Sequence, residues 1–200
     1  DRIGLRPSSN VWIDVIAFDR RMQSLDAGQA GLIDPQKRLW LKRVLDSYAG
    51  DFAISIDVPW TLIERERLRT LFLDGLFTLA MSHSSAGDWT AAARVAQRLC
   101  HAEPLREDAH RLLMVARTRS GNRALALRQF EHCQAILARE LNVEPMAETT
   151  DLYRKIRENP SAAFLINCES DLETASAQSC QSALRAPASL EATLGNSKFR

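Results

Sequence analysis

Apolar residues recur at spacings of three and four along most of the first 160 positions, the period of a helix with one buried face. Val15, Phe18, Met22 and Leu25 open the pattern behind Asp14, a residue suited to cap a helix N-terminus, and Gly28 and Gly31 end it. Asp34-Pro35 restarts it, an acceptor side chain followed by a residue whose missing N–H costs nothing in a first turn. Leu39, Trp40, Val44 and Leu45 make the apolar side of this second helix, which is expected to stop at Ala49-Gly50. An irregular stretch from Asp51 to Pro59 follows. A long helix is then expected from Trp60 to about Ser85, with Leu62, Leu68, Leu71, Phe72, Leu76, Leu79 and Ala80 facing inward. Its Glu64, Arg65, Glu66, Arg67 and Arg69 read as a charged outer face, whose exposed pairs contribute about 0.3 kcal/mol each.

Beyond this point the chain repeats itself. Gly87-Asp88-Trp89-Thr90-Ala91-Ala92 and Gly121-Asn122-Arg123-Ala124-Leu125-Ala126 stand 34 residues apart, each closing one apolar run and opening another. Helix, glycine turn and helix at that period mark a tetratricopeptide-type array, whose units stack because none buries its apolar face alone. Helices are expected from Asp88 to His101, Leu105 to Ser120, Asn122 to Leu141 and Met146 to Glu158, broken at Pro104 and Pro145. Those prolines lie 41 residues apart, which predicts a second back helix about two turns longer than the first. Ala80, Ala92, Ala96 and Ala126 fall where paired helices must approach closely, and Phe130 where a bulky plug is expected. The fold class is therefore all-α, a tetratricopeptide-like superhelix of antiparallel helix pairs over residues 14–159. Residues 1–13 read as an extended lead-in. Residues 160–200, rich in Ala and Ser, read as a poorly ordered linker or tail.

Charge and composition narrow the function. A formal net charge of +1 over 200 residues offers no broad attraction to nucleic acid or an anionic membrane. No apolar run reaches the roughly 20 residues of a membrane span, and no signal peptide opens the chain. A start at Asp1 reads as a piece of a longer protein. His83, His110 and His132 fall on separate helices without the H-x-x-x-H spacing that clasps a metal, and each is expected to be a partly exposed helix residue. His101-Ala102-Glu103 lacks the P-C-x-x-C partner of a zinc deaminase. Cys100, Cys133, Cys168 and Cys180 show no C-x-x-C spacing and read as buried or idle thiols in a reducing cytoplasm. Neither a phosphate-cradling glycine loop nor a nucleophile elbow is present. No catalytic residue, cofactor or metal is expected, and the chain is not read as an enzyme. Arg106, Arg111, Arg117, Arg119, Arg123 and Arg128 crowd the second repeat. They read either as a solvated face with local ion pairs or as a docking surface for an acidic partner or for nucleic-acid phosphate, though no aromatic residues are interleaved with them as stacking platforms.

Several ordered motifs go further. Val11-Trp12-Ile13-Asp14-Val15 with Phe18 opens the first helix, and Tyr48-Ala49-Gly50-Asp51-Phe52 precedes Trp60 and the Glu64-Arg65-Glu66-Arg67-Leu68 run. Glu103-Pro104-Leu105-Arg106-Glu107 leads into His110-Arg111-Leu112-Leu113-Met114. Gly121 to Leu127 and Leu137 to Pro145 complete the set. Together, over about residues 8–158, they resemble the bacterial transcriptional activator domain, the helical module of regulators such as the Streptomyces antibiotic regulatory proteins. Glu103 stands where that family more often has Asp. Asn142 stands where it has Gly, and both residue types tolerate left-handed backbone.

The resemblance implies a cytoplasmic transcription regulator in which a winged-helix domain precedes this module, with residues 1–13 as the exit from it. Its implied partners are proteins: that winged-helix domain, a second protomer and RNA polymerase. DNA would be reached only through the preceding domain, so these 200 residues are expected not to bind it specifically alone. A generic tetratricopeptide-like scaffold in a multidomain signalling protein stays open as the alternative. In such repeats the front helices line a concave wall. Aligning the repeats on Gly87 and Gly121 places Asp74, Phe77, Met81 and Ser84 there in the first and Asp108, Arg111, Val115, Thr118 and Arg119 in the second. These are the candidate partner-binding residues, with packing between helices as the competing role. Arg111→Ala with Arg119→Ala is expected to weaken partner binding and leave helical melting nearly unchanged.

Overall fold

The computed structural model describes residues 14–23, 34–56 and 58–159. The expected lead-in at 1–13, the glycines at 28 and 31 and the tail at 160–200 lie outside them. The described residues form α1 (Asp14–Gln23), α2 (Pro35–Asp46), α3 (Pro59–Ser85), α4 (Trp89–Ala102), α5 (Glu107–Arg119), α6 (Arg123–Glu140) and α7 (Ala147–Glu158), with no strand among them. Local chemistry sets the ends. The Asp34 carboxylate accepts the Gln36 amide at 2.7 Å, and the Asp88 carboxylate accepts the Ala91 amide at 3.0 Å. Gly87 and Gly121 sit at φ of 75° and 79°, where any side chain is strained, and turn the chain between paired helices. Asn142 ends α6 at φ 54°, the left-handed role the sequence assigned to it.

Successive helices pack antiparallel, and alternate helices also meet: α1 against α3, α3 against α5, α5 against α7. The odd-numbered helices thus form the inner wall of a superhelix and α2, α4 and α6 its outer layer. Three helix pairs stack, α1 with α2 forming the first of them, and α7 closes the far end. Leu76, Leu99, Leu112, Leu113 and Met114 are buried between the layers, each worth about 2 kcal/mol of transfer free energy. Ala80, Ala92, Ala96 and Ala126 are completely buried at the helix crossings, as their spacing predicted. Phe130 stacks on Tyr153 of α7 with centroids 4.2 Å apart, plugging the last pair.

Four expectations need correction. Helix α6 has 18 residues against 14 in α4, one turn longer rather than two, because Leu141 to Met146 forms a loop. Leu39 and Leu62, assigned to apolar faces, are 49% and 48% exposed. His110, expected to be partly exposed, is fully buried. The arginines at the start of α3 are clamps rather than surface decoration. Arg65 donates to the carbonyls of Phe52, Ala53 and Ile56 at 2.9, 2.7 and 3.2 Å. Arg67 bonds Asp19 of α1 at 2.8 Å, and Arg69 donates to the Ala102 carbonyl ending α4 at 2.6 Å. The loop they hold is further fixed by Tyr48, which stacks on Phe72 at 4.3 Å and donates to Asp51 at 3.0 Å.

Candidate protein-docking surface

The motif from Glu103 to Met114 is a junction. Glu107, in the first turn of α5, accepts the Met146 amide at 2.9 Å and the Thr149 hydroxyl at 2.6 Å, so it caps and anchors α7. Arg111, one turn on, donates to the same Thr149 oxygen at 3.0 Å. His110 points the other way, into the α5–α6 contact. Its Nε2–H donates to the Pro104 carbonyl at 3.0 Å, so Nδ1 is the acceptor and takes a hydrogen bond from the Gln129 amide at 2.8 Å. Gln129 in turn accepts from Arg117 at 2.8 Å. Each member of this chain fixes the orientation of the next. Burial holds the His110 imidazole below its ordinary pKa, as a neutral strut.

The candidate partner-binding residues fall on this framework as follows. Asp74 and Asp108 are brought together by Arg106, which bonds them at 3.0 and 2.9 Å with its guanidinium over the Phe77 ring. Burial still raises the Asp74 carboxyl above its ordinary value despite Arg106. Phe77, Met81, Ser84, Val115 and Thr118 are buried, and the Thr118 hydroxyl bonds back to the Met114 carbonyl at 2.8 Å. Arg119 lies over the Trp89 ring at 5.2 Å. The inner wall is therefore filled by α3 packing on α5 and α5 on α7.

These partners change one expectation. Arg111 and Arg119 hold neighbouring helices, so Arg111→Ala with Arg119→Ala should lower the thermal midpoint. A loss of about 2 kcal/mol is expected from the charged hydrogen bond and the ring contact together. Differential scanning calorimetry of the double variant checks this, and an unchanged transition would return both residues to a purely surface role.

Free surface lies higher on the same stripe. Trp60, Ile63, Arg67, Thr70, Asp74 and Met81 follow one another at helical spacing along one side of α3. Its lower half is covered by α5, whereas Trp60 is 57% and Ile63 70% exposed. The first turns of α3 overhang the stack. Helix α2 meets α3 near Gly75, α4 ends beside Arg69, and neither reaches Ile63. Ile54, Ile56 and Val58 on the preceding loop and Leu62 on the opposite side of α3 are also exposed. Composition did not single out this apolar overhang; its signal was the run of large apolar residues in a stretch read as irregular.

No group of three or more His, Cys, Asp or Glu side chains suited to a metal occurs among the described residues. Cys100 and Cys133 are buried thiols pushed up to about 12 and about 11 by desolvation, too protonated to act as nucleophiles near neutral pH. No helix among the described residues is long and apolar enough to cross a membrane.

Comparison with known proteins places this architecture. The family described as bacterial transcriptional activator domain matches residues 13–157. Two curated relatives carry the description regulatory protein AfsR. That of Streptomyces coelicolor is 32% identical over 157 residues, which is 78% of this chain and 15% of the relative. That of Streptomyces griseus is 33% identical over 121 residues, 60% of this chain and 12% of the relative. The chain thus spans less than a sixth of the length of either relative.

Proposed function

Because the chain belongs to the bacterial transcriptional activator domain family, we propose that it is the helical protein-interaction module of a cytoplasmic transcription regulator. In this reading it holds the regulator's own winged-helix domain, a second protomer or RNA polymerase, and so couples DNA occupancy to recruitment at a promoter. The observation that carries the reading is the extent of the match, which runs from the start of α1 to the last turn of α7. The chemistry agrees with it. The polar side chains of the central motif are engaged with one another and with backbone, and the exposed residues elsewhere include large apolar ones, such as Trp60 and Ile63, suited to a protein surface.

Base readout needs an element presented to a groove, and a stack of helix hairpins with +1 formal charge offers neither that element nor a strong phosphate field. An electrophoretic titration of this chain on promoter DNA should show no sequence-selective complex. Adding the native upstream domain should restore one. Pull-down with the chain, with and without that domain, should retain RNA polymerase subunits or a second protomer. Retention of neither, or tight selective DNA binding by the chain alone, would overturn the reading.

A further inference from the structure

Helices α2 and α3 run antiparallel, and Leu45 of α2 lies against α3 at Gly75, where an added Cβ would meet its side chain. Seven residues back along α2 from Leu45 is Arg38, and seven residues forward along α3 from Gly75 is Ser82. Two turns in each direction keep both on the facing sides, so Arg38 stands level with Ser82. Neither is satisfied there. The Arg38 Nε–H and the Ser82 hydroxyl are buried and have no hydrogen-bond partner, and Ser82 is 2% exposed. A buried donor left unpaired costs more than a typical hydrogen bond returns, so two at one level call for an acceptor between them.

The surroundings give the sign of that acceptor. His83 follows Ser82, and its buried Nδ1 has the Asp88 carboxylate at 3.4 Å, outside hydrogen-bonding geometry. Burial holds the His83 imidazole below its ordinary pKa, and the positive charges of Arg38 and Arg94 lower it further against the pull of Asp88. Two guanidinium groups thus act on one imidazole, Arg38 from the first turn of α2 and Arg94 from the second turn of α4. The carboxylates at hand are committed to helix ends: Asp34 accepts the Gln36 amide at 2.7 Å and Asp88 the Ala91 amide at 3.0 Å. Donor directions then decide between anions. Arg38 offers the side of a planar fork, Ser82 a hydroxyl and Arg94 a second guanidinium. Three donors arriving from three helices suit the separate oxygens of a tetrahedral ion better than a planar carboxylate. The depth of Ser82 favours a small one.

We propose that the junction of α2, α3 and α4 binds one free phosphate ion, held by Arg38, Ser82 and Arg94 beside His83. The bound ion would tie the α1–α2 pair to the α3–α4 hairpin. The site stands whatever protein the module recruits.

Calorimetric titration of inorganic phosphate into the 200-residue chain, at pH 7.5 and constant ionic strength, tests it. One site should saturate, and the His83 ring resonances should shift with the same midpoint. Arg38→Gln should weaken affinity at least about tenfold and Ser82→Ala about threefold, the losses of a charged and a neutral hydrogen bond. Arg128→Gln, on the exposed side of α6, should bind as the wild type does. Phosphate should raise the thermal midpoint of the wild type and leave that of Arg38→Gln in place. Should Arg38→Gln fail to fold, the Ser82→Ala titration decides. Absence of saturation, or equal affinity in the wild type and both site variants, would overturn the proposal and leave an adventitious ion only. Acetate binding as tightly as phosphate would overturn the choice of a tetrahedral ion. Phenyl phosphate binding more tightly would overturn the choice of a free one and assign the site to an esterified group.

Discussion

Replacing Ala92 or Ala126 with arginine is expected to abolish the cooperative thermal transition. Both methyl groups are completely buried where α4 and α6 cross their partners, and Gly87 and Gly121 fix the angle at which those helices return. A seven-atom charged chain has no room there. It must force the helices apart or bury an unpaired guanidinium, and either exceeds the ordinary cost of overpacking. A loss of at least ~4 kcal/mol is expected, comparable with the whole stability of a small domain. Ala124→Arg is the control: Ala124 lies in the first turn of α6 but is exposed, so its circular dichroism melt should match the wild type. A normal transition in Ala92→Arg or Ala126→Arg would mean the crossings lie elsewhere.

Loss of the buried imidazole should be nearly as severe and should carry a pH signature. His110→Ala leaves a cavity and strips the Gln129 amide and the Pro104 carbonyl of their partner, for a combined cost of about 3 kcal/mol. The wild type should also weaken in mild acid. Burial puts the folded pKa of His110 below its unfolded value, so the unfolded chain takes up the proton first. Stability is then full above the unfolded histidine pKa of about 6.5 and falls below it by roughly 1.4 kcal/mol per pH unit until the folded pKa is reached. Protonation has a structural cost that can be traced. A proton on Nδ1 faces the Gln129 amide donor, and turning that amide over presents the same donor to Arg117. His83 is likewise lowered by burial and adds to the slope, whereas Asp74, raised by burial, opposes it. Comparing His110→Ala with wild type cancels both. Urea midpoints at pH 7.5 and 5.5 should converge for the two proteins as pH falls, and a constant gap would sink the argument.

What the sequence disclosed is what depends on near neighbours along the chain. Gly87, Gly121 and Asn142 were legible because a left-handed turn is a property of one residue and its place after an apolar run. The crossing alanines were legible because a repeat of fixed period aligns equivalent positions. His110 was not. Its burial depends on Pro104 and on Gln129, 19 residues away on another helix, and neither carries a periodic signal. Arg65 and Arg69 were misread for the same reason, since their targets are backbone carbonyls 12 and 33 residues distant. The candidate stripe of α3 followed from helical geometry. Which part of it stays open did not, because that is set by how far α2 and α4 reach beside a 27-residue helix. Period alone cannot say where a neighbour ends.

The α7 end of the stack is charged. Helix α7 packs Leu152 and Ile156 inward and turns Asp151, Arg154, Lys155 and Glu158 to solvent. A solenoid with adhesive faces at both ends would add copies head to tail without limit and grow into filaments. Among the described residues the α7 face is charged, so a further copy joining there would have to strip those side chains of water, and growth through that face is disfavoured.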